Sequence, residues 1–444
     1  MTNTPKAALM AALMISVGSL AVSTPALAKK KEEAAAPAPK LSQAFVKPAS
    51  EAQAKIKAMD WAGATASLDA ADAVATTDDE KYTAATLRLT LEQGKLKQAS
   101  ATDPKAFEAG AGAMLPALNA LIDNPKTPKE DLIKFLLFRG DRNYAGKKYA
   151  EAIADYTRAR DAGSQSSDLS LQIMKAKAET GDAVGAAAEL DRQIGIETAA
   201  GRKVPEPWYH YVISKLYKYH FDKEAVTWSA NIVKVYPTAA NWRQWVRVYM
   251  ATLPATVKLD KSQRLDLFRL LRAGKALVDQ NDYNEYAQAT DDLALHAETK
   301  AVLTEGRALN RIPAGDNMAA LLTTSANTGL GLEKSSEVAE KQAKAAKTGD
   351  ASAQVGDVYL GGANYAKAIE AYKDALAKPF DQPGATAVKR RYLTTDEVNT
   401  HLGIALALSG DKDGARQTFK LVKGSPRSEI ATFWLTWLDV GVTG

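Results

Sequence analysis

The chain has 444 residues, 46% of them apolar and 25% charged, with 28 Gly and 17 Pro, a balance that excludes disorder throughout and leaves ample length for a folded core. The absence of cysteine excludes disulfides, thiolate metal sites, a cysteine nucleophile and a lipidated cysteine after a signal sequence. A formal net charge of +5 is too small at this length to argue for nucleic acid or an anionic membrane, and four histidines leave little for zinc.

Residues 1–28 have the pattern of an export signal. Lys6 is the positive n-region, Ala7 to Val22 carries no charge, and Ala26-Leu27-Ala28 places small residues at a cleavage site before Lys29. The apolar run falls short of the ~20 residues that span a bilayer, so cleavage is expected rather than anchoring. Removal of this segment, with its one Lys and no acid, lowers the net charge from +5 to +4. A soluble periplasmic protein is expected, since no other stretch is long and apolar enough to cross a membrane. Residues 29–45 open on three Lys, two Glu and an Ala/Pro run that cannot bury apolar surface, and are expected as a disordered linker.

Beyond the linker the texture becomes Ala-rich, with apolar residues at three-and-four spacing broken by Gly-Asp, Asn or Pro, and no run of period-two alternation. An all-α chain is predicted. Val355-Gly356, Tyr359, Ala368, Tyr372 and Ala375, followed by Pro379, recur in spacing as Leu402-Gly403, Leu406, Ala415, Phe419 and Val422, followed by Pro426. Two helices cross closely only over small side chains, so Gly356 and Gly403 are expected to face Ala368 and Ala415. Gly140 stands before Ala152 in the same way, Gly181-Asp182 before Ala186, and further units are expected around Ala64, Ala225, Ala301 and, weakly, Lys334.

These residues resemble the tetratricopeptide repeat (TPR), and four units, around Ala152, Ala186, Ala368 and Ala415, fit it well. The resemblance implies helix-turn-helix units of 34 residues stacked into a right-handed superhelical solenoid, in which the first helix of each pair lines an inner groove. Degenerate helical repeats are expected over 46–135 and the solenoid over 136–444. Its last helix, around Ile430, Phe433, Trp434, Trp437 and Leu438, is expected to cap the preceding pair.

Motifs for chemistry fail. In Gly140 to Lys148 the second Gly comes one residue late for a phosphate loop and Lys148 replaces the Ser or Thr that would hold magnesium. No His-Glu-x-x-His or Gly-x-Ser-x-Gly occurs, and His210 and His220, ten residues apart, point in different directions on a helix. No cofactor, no metal and no enzymatic activity are expected.

One local enrichment remains. Residues 208–249 hold ten of the 23 Trp and Tyr, interleaved with Lys215, Lys218, Arg243 and Arg247. Trp242, Trp245 and Tyr249 share one helix face, and Arg243 and Arg247 stand a turn apart on another. One reading makes the aromatics the bulky core of a central unit. The other makes Tyr211, Lys215, Lys218, Trp242, Arg243, Trp245, Arg247 and Tyr249 a partner-binding groove, able to stack on side chains or sugars and to pair with carboxylates. The expected function is a periplasmic scaffold for protein or peptide partners of the cell envelope; the alternative is a glycan-binding module for peptidoglycan or exported polysaccharide.

Overall fold

A computed structural model describes residues 40–103, 106, 110–253, 257–332, 336–380 and 393–443. The expected signal, most of the expected linker and Lys334 lie outside them. The described residues are helical, and their one strand-like contact is a single parallel bridge between Thr238 and Thr443. No described helix is long and apolar enough to cross a membrane.

The chain divides into two compact units at Val204 and Pro205. The first comprises α1 (Gln43–Lys57), α2 (Trp61–Val74), α3 (Asp78–Thr102), a 3-10 turn (Ala111–Met114), α4 (Leu115–Asp123), α5 (Lys129–Ala145), α6 (Tyr149–Asp161), α7 (Leu169–Glu179) and α8 (Ala183–Ala199). Two sequence boundaries move. The linker ends earlier than residue 45, because Ser42 caps α1 and Phe45 is fully buried against the α2 core. The expected division at 135/136 falls inside α5, whose Phe135 and Leu136 belong to one apolar cluster with residues of α3 and α4.

The second unit comprises α9 (Glu206–Lys218), α10 (Asp222–Val235), α11 (Ala239–Thr252), α12 (Lys261–Ala273), α13 (Gln280–Asp291), α14 (His296–Ala308), α15 (Asn317–Leu332), α16 (Ser336–Ala345), α17 (Asp350–Gly361), α18 (Tyr365–Leu376), α19 (Thr395–Ser409), α20 (Lys412–Phe419) and α21 (Arg427–Val440).

Among the described residues, seven helix pairs share one turn: α1/α2, α5/α6, α7/α8, α9/α10, α13/α14, α17/α18 and α19/α20. In each, the residue two before the second helix has a positive φ: Met59, Lys147, Gly181, His220, Ala294, Ala363 and Gly410. The left-handed residue lets the next N–H reach back to a carbonyl five residues earlier, as Lys148 does to Asn143 and Asn364 to Tyr359, both at 2.8 Å. Five residues after the left-handed position stands a fully buried residue at the helix crossing: Ala64, Ala152, Ala186, Ala225, Thr299, Ala368 and Ala415. In the α13/α14 pair this residue is Thr299 and not the expected Ala301, which the helix turns partly outward. The pairs also pack on one another within each unit, α6 on α7 and α18 on α19, as stacked helix-turn-helix repeats do.

The small residue in the first helix faces a different partner from the one expected. A Cβ on Gly356 would lie 2.5 Å from a ring carbon of Tyr372, one on Gly403 2.5 Å from Phe419, and one on Gly140 2.6 Å from Tyr156. The glycine thus accommodates an aromatic ring one turn beyond Ala368 or Ala415.

The last helix does more than cap its neighbours. α21 packs on α19 and α20 and also returns to α10 and α12. Phe433 stacks on Trp245 with centroids 4.0 Å apart, the Trp434 indole donates to the Asp266 carbonyl at 3.3 Å, and the Trp242 indole donates to the Gly441 carbonyl at 3.0 Å.

Candidate functional site

The eight candidate residues separate into two groups. On α11, Trp242, Trp245 and Tyr249 are only 1%, 4% and 7% exposed; Trp245 and Tyr249 pack against Phe433 of α21, and Trp242 packs on Trp245. They are core, and the expectation that they line a groove is corrected: the helix that covers them comes from nearly 200 residues downstream, where local periodicity has no reach.

Arg243 and Arg247 are already engaged. Arg243 donates to both Asp282 oxygens, at 2.8 and 3.0 Å, and to Asp279 at 2.9 Å. Arg247 donates to Asp282 and, at 2.9 Å, to Glu285. Burial alone would raise the Asp282 carboxyl, but the two guanidiniums and the Val278 N–H, at 2.9 Å, hold it below its ordinary range. These arginines therefore tie α11 to α13.

The other group stays at the surface. α9 starts at Glu206, with Pro205 at its N-cap and Pro207 in its first turn, and buries Tyr209, Val212, Ile213 and Leu216 on one side. Its other side carries Trp208, Tyr211, Lys215 and Lys218. Trp208 and Tyr211 are half-buried and meet edge to face at 6.5 Å, and the Lys215 ammonium lies 5.3 Å from the Tyr211 ring centre. Lys218 is exposed 5.2 Å from the Tyr219 ring, and Tyr217 is 48% exposed beside it. This cation-aromatic face is what the structure retains of the expected groove.

A second constellation was not read from the sequence. Ser262 on α12 lies 3.1 Å from His401 Nε2 on α19, and His401 Nδ1 lies 2.7 Å from Asp357 on α17. The three line a cavity of about 230 Å³ with Arg269 and Gln354. The order resembles a nucleophile, base and orienting acid. Its electrostatics differ. Burial would lower the His401 pKa, but Asp266, 3.4 Å from Nε2, and Asp357 together push it up to about 10. At neutral pH the ring is an imidazolium and has no lone pair for the Ser262 proton. That hydroxyl donates to Glu397 at 2.9 Å and accepts from Arg427 at 3.0 Å. Arg427 also binds Asp266 at 2.8 Å, and Arg269 forms a two-point pair with Glu298 at 3.0 and 2.7 Å. The arrangement is a buried network of ion pairs that joins α12, α14, α17, α19 and α21. No group of three or more metal-ligating side chains occurs among the described residues.

No protein-family model matches the chain, and no curated protein matches it. Among solved structures it is similar to the pentatricopeptide repeat protein PPR10 from maize, at 14% identity and a TM-score of 0.27 over 89% of this chain. The chain spans 62% of the length of that protein. It is also similar to the APC/C hetero-tetramer Cut9-Hcn1, at 12% identity and a TM-score of 0.20, covering 90% of this chain and 91% of the other. At these scores the overlays carry no argument, and the repeat architecture rests on the shared turn and the packing of the helix pairs.

Proposed function

We propose that this chain is an exported periplasmic protein that binds protein or peptide partners in assembly or maintenance of the cell envelope, without chemistry of its own. The observation that carries the reading is the outer side of α9, where Trp208, Tyr211, Lys215 and Lys218 stand together. Rings and long cationic side chains suit a partner that brings carboxylates and apolar side chains. Stacked helix pairs supply surface for recognition, and in the Ser262, His401 and Asp357 cluster the imidazole is held protonated between two carboxylates while the hydroxyl donates to Glu397. Export rests on Lys6, the uncharged run and Ala26-Leu27-Ala28.

Glycan binding is the second reading, favoured by the half-buried Trp208 and Tyr211 rings. Two experiments separate the readings. Mass spectrometry of the chain purified from the periplasm should give Lys29 as its first residue; retention of Met1 would overturn export with cleavage. The mature chain used as bait in periplasmic extract should retain a stoichiometric protein partner and lose it on Tyr211→Ala with Lys218→Glu. Retention of insoluble glycan alone, lost in the same double variant, would put the second reading in its place.

A further inference from the structure

Helix α15 is fixed on one side and open on the other. On the inner side Ala319, Leu322 and Ala326 are buried, Ser325 donates to Asp291 of α13 at 2.8 Å, and a Cβ on Gly329 would lie 2.2 Å from the His296 ring of α14. The outer side carries Leu321 and Leu332, 69% and 81% exposed, the two most exposed large apolar side chains among the described residues. The next helix, α16, packs on α17.

The chemistry of that outer side sets it apart. α15 has 16 residues and, alone among the described α-helices, no Lys, Arg, Asp or Glu, in a chain that is 25% charged. At about 100° per residue, Ala320, Leu321, Thr324, Thr328, Gly331 and Leu332 fall within an arc of about 120°, and all six are exposed. The Thr324 and Thr328 hydroxyls donate to carbonyls of their own helix at 3.1 and 2.9 Å. Covering this stripe therefore strands neither a charge nor a hydroxyl donor.

The stripe fits a copy of itself. A two-fold axis sets a surface against the same surface, so a charged stripe would bring like charges together, and this one brings none. Leu321 and Leu332 are three turns apart and lie on one edge, about 16.5 Å from each other along the axis. In an antiparallel pair centred between them, each Leu321 stands level with Leu332 of the other copy on the same edge. Ala320 and Gly331 make up the opposite edge, where the lack of bulk lets the backbones approach. One helix face about 24 Å long and roughly 10 Å wide is small beside the ~800 Å² per partner of a stable complex, so the pairing is weak and reversible.

We propose that the outer side of α15 is a self-association surface, on which two copies of this chain pair antiparallel about a two-fold axis with Leu321 of one against Leu332 of the other. The pairing uses no residue of the α9 surface and stands whether or not that surface binds a partner.

Sedimentation equilibrium and cysteine cross-linking of the mature chain test the pairing, the second because the chain has no cysteine of its own. The chain should form a reversible dimer, and Leu321→Arg should raise its dissociation constant at least tenfold with an unchanged far-UV circular dichroism spectrum. Under copper phenanthroline, Thr328→Cys should give a disulfide-linked dimer, since its two thiols stand about 4.5 Å apart along the axis. Leu321→Cys and Leu332→Cys, each about 16.5 Å from its own copy, should stay monomeric alone and cross-link when mixed. A chain that is monomeric at every concentration overturns the proposal, as does a dimer indifferent to Leu321→Arg. Equal cross-linking of all three variants would report collision and overturn the register. A monomer that captures a different protein through Leu321 would give the face to a foreign helix, which also overturns self-pairing.

Discussion

Gly356, Gly403 and Gly140 show how far single residues can be read from sequence. Each needs to be small, and the recurrence of the spacing reveals it, yet the neighbour that imposes the need is Tyr372, Phe419 or Tyr156 rather than the alanine of the repeat. A compensating pattern supports this pairing. Tyr372 donates to Asp357 at 2.7 Å and Tyr156 to Asp141 at 2.6 Å, and where Phe419 lacks the hydroxyl, Ile404 stands in place of the acid. No buried acceptor is then left without its donor. Gly356→Ala forces the Tyr372 ring to move and should cost about 1–3 kcal/mol, measured by urea unfolding; a neutral outcome would mean the ring has room.

His401 gives the pH dependence. Its folded pKa of about 10 lies above the ordinary 6.5, so its pairing contributes fully below pH 6.5 and is lost as the pH rises toward 10. The groups around it are Asp266 and Arg269 of α12, Asp357 of α17, Tyr372 of α18, Glu397 of α19 and Arg427 of α21. Asp266, held down to about 2, contributes above pH 3.8 and loses its contribution as the pH falls toward 2. Urea stability should therefore decline between pH 7 and pH 10, by on the order of a few kcal/mol. His401→Gln should lower stability at pH 6 by about 3 kcal/mol and flatten that decline, because it leaves the two acids short of a buried countercharge. An unchanged slope in the variant would place the titration elsewhere.

At the level of elements, the helices were legible and their termini were not. Helical periodicity marks α7/α8, α17/α18 and α19/α20, the first and last with Gly181-Asp182 and Gly410-Asp411 at the turn, because local sequence determines them. The left-handed position carries no glycine in α1/α2, α5/α6, α9/α10, α13/α14 and α17/α18, where Met59, Lys147, His220, Ala294 and Ala363 stand; spacing alone still places the units at Ala64 and Ala225 but puts the α13/α14 unit at Ala301, two residues past Thr299. A side chain there costs about 1 kcal/mol. Ala363→Gly should consequently stabilise the chain by about 0.5–1 kcal/mol in a chemical denaturation series, whereas destabilisation would show that the loss of chain stiffness dominates. The expected groove failed for a related reason. Trp242, Trp245 and Tyr249 form an apolar helix face, but a sequence pattern does not say what covers it. Trp245→Ala should cost about 3–5 kcal/mol through the cavity left against Phe433; loss of partner with full stability would contradict its placement in the core.

For the molecule as a whole, composition and repetition specify stacked helix pairs, while the long-range contacts specify how the second unit closes. α21 is fixed at one end by Arg427 on Asp266 and Ser262, and beyond its other end by Thr443, which donates to the Pro237 carbonyl at 2.9 Å. Between them, Phe433 and Trp434 fill the space beside α11 and α12. None of these contacts belongs to the repeat pattern, which is why the repeat alone suggested a terminal cap. The outer side of α9 is the surface we propose for a partner.

Hydrogen exchange of the mature chain, resolved by peptide, tests this closure. Slowest exchange in residues 239–252, 261–273 and 427–440, opening together as one cooperative block, is the result this packing predicts. Exchange of 427–440 well ahead of the other two segments would mean that the aromatic face of α11 is not sealed by the last helix.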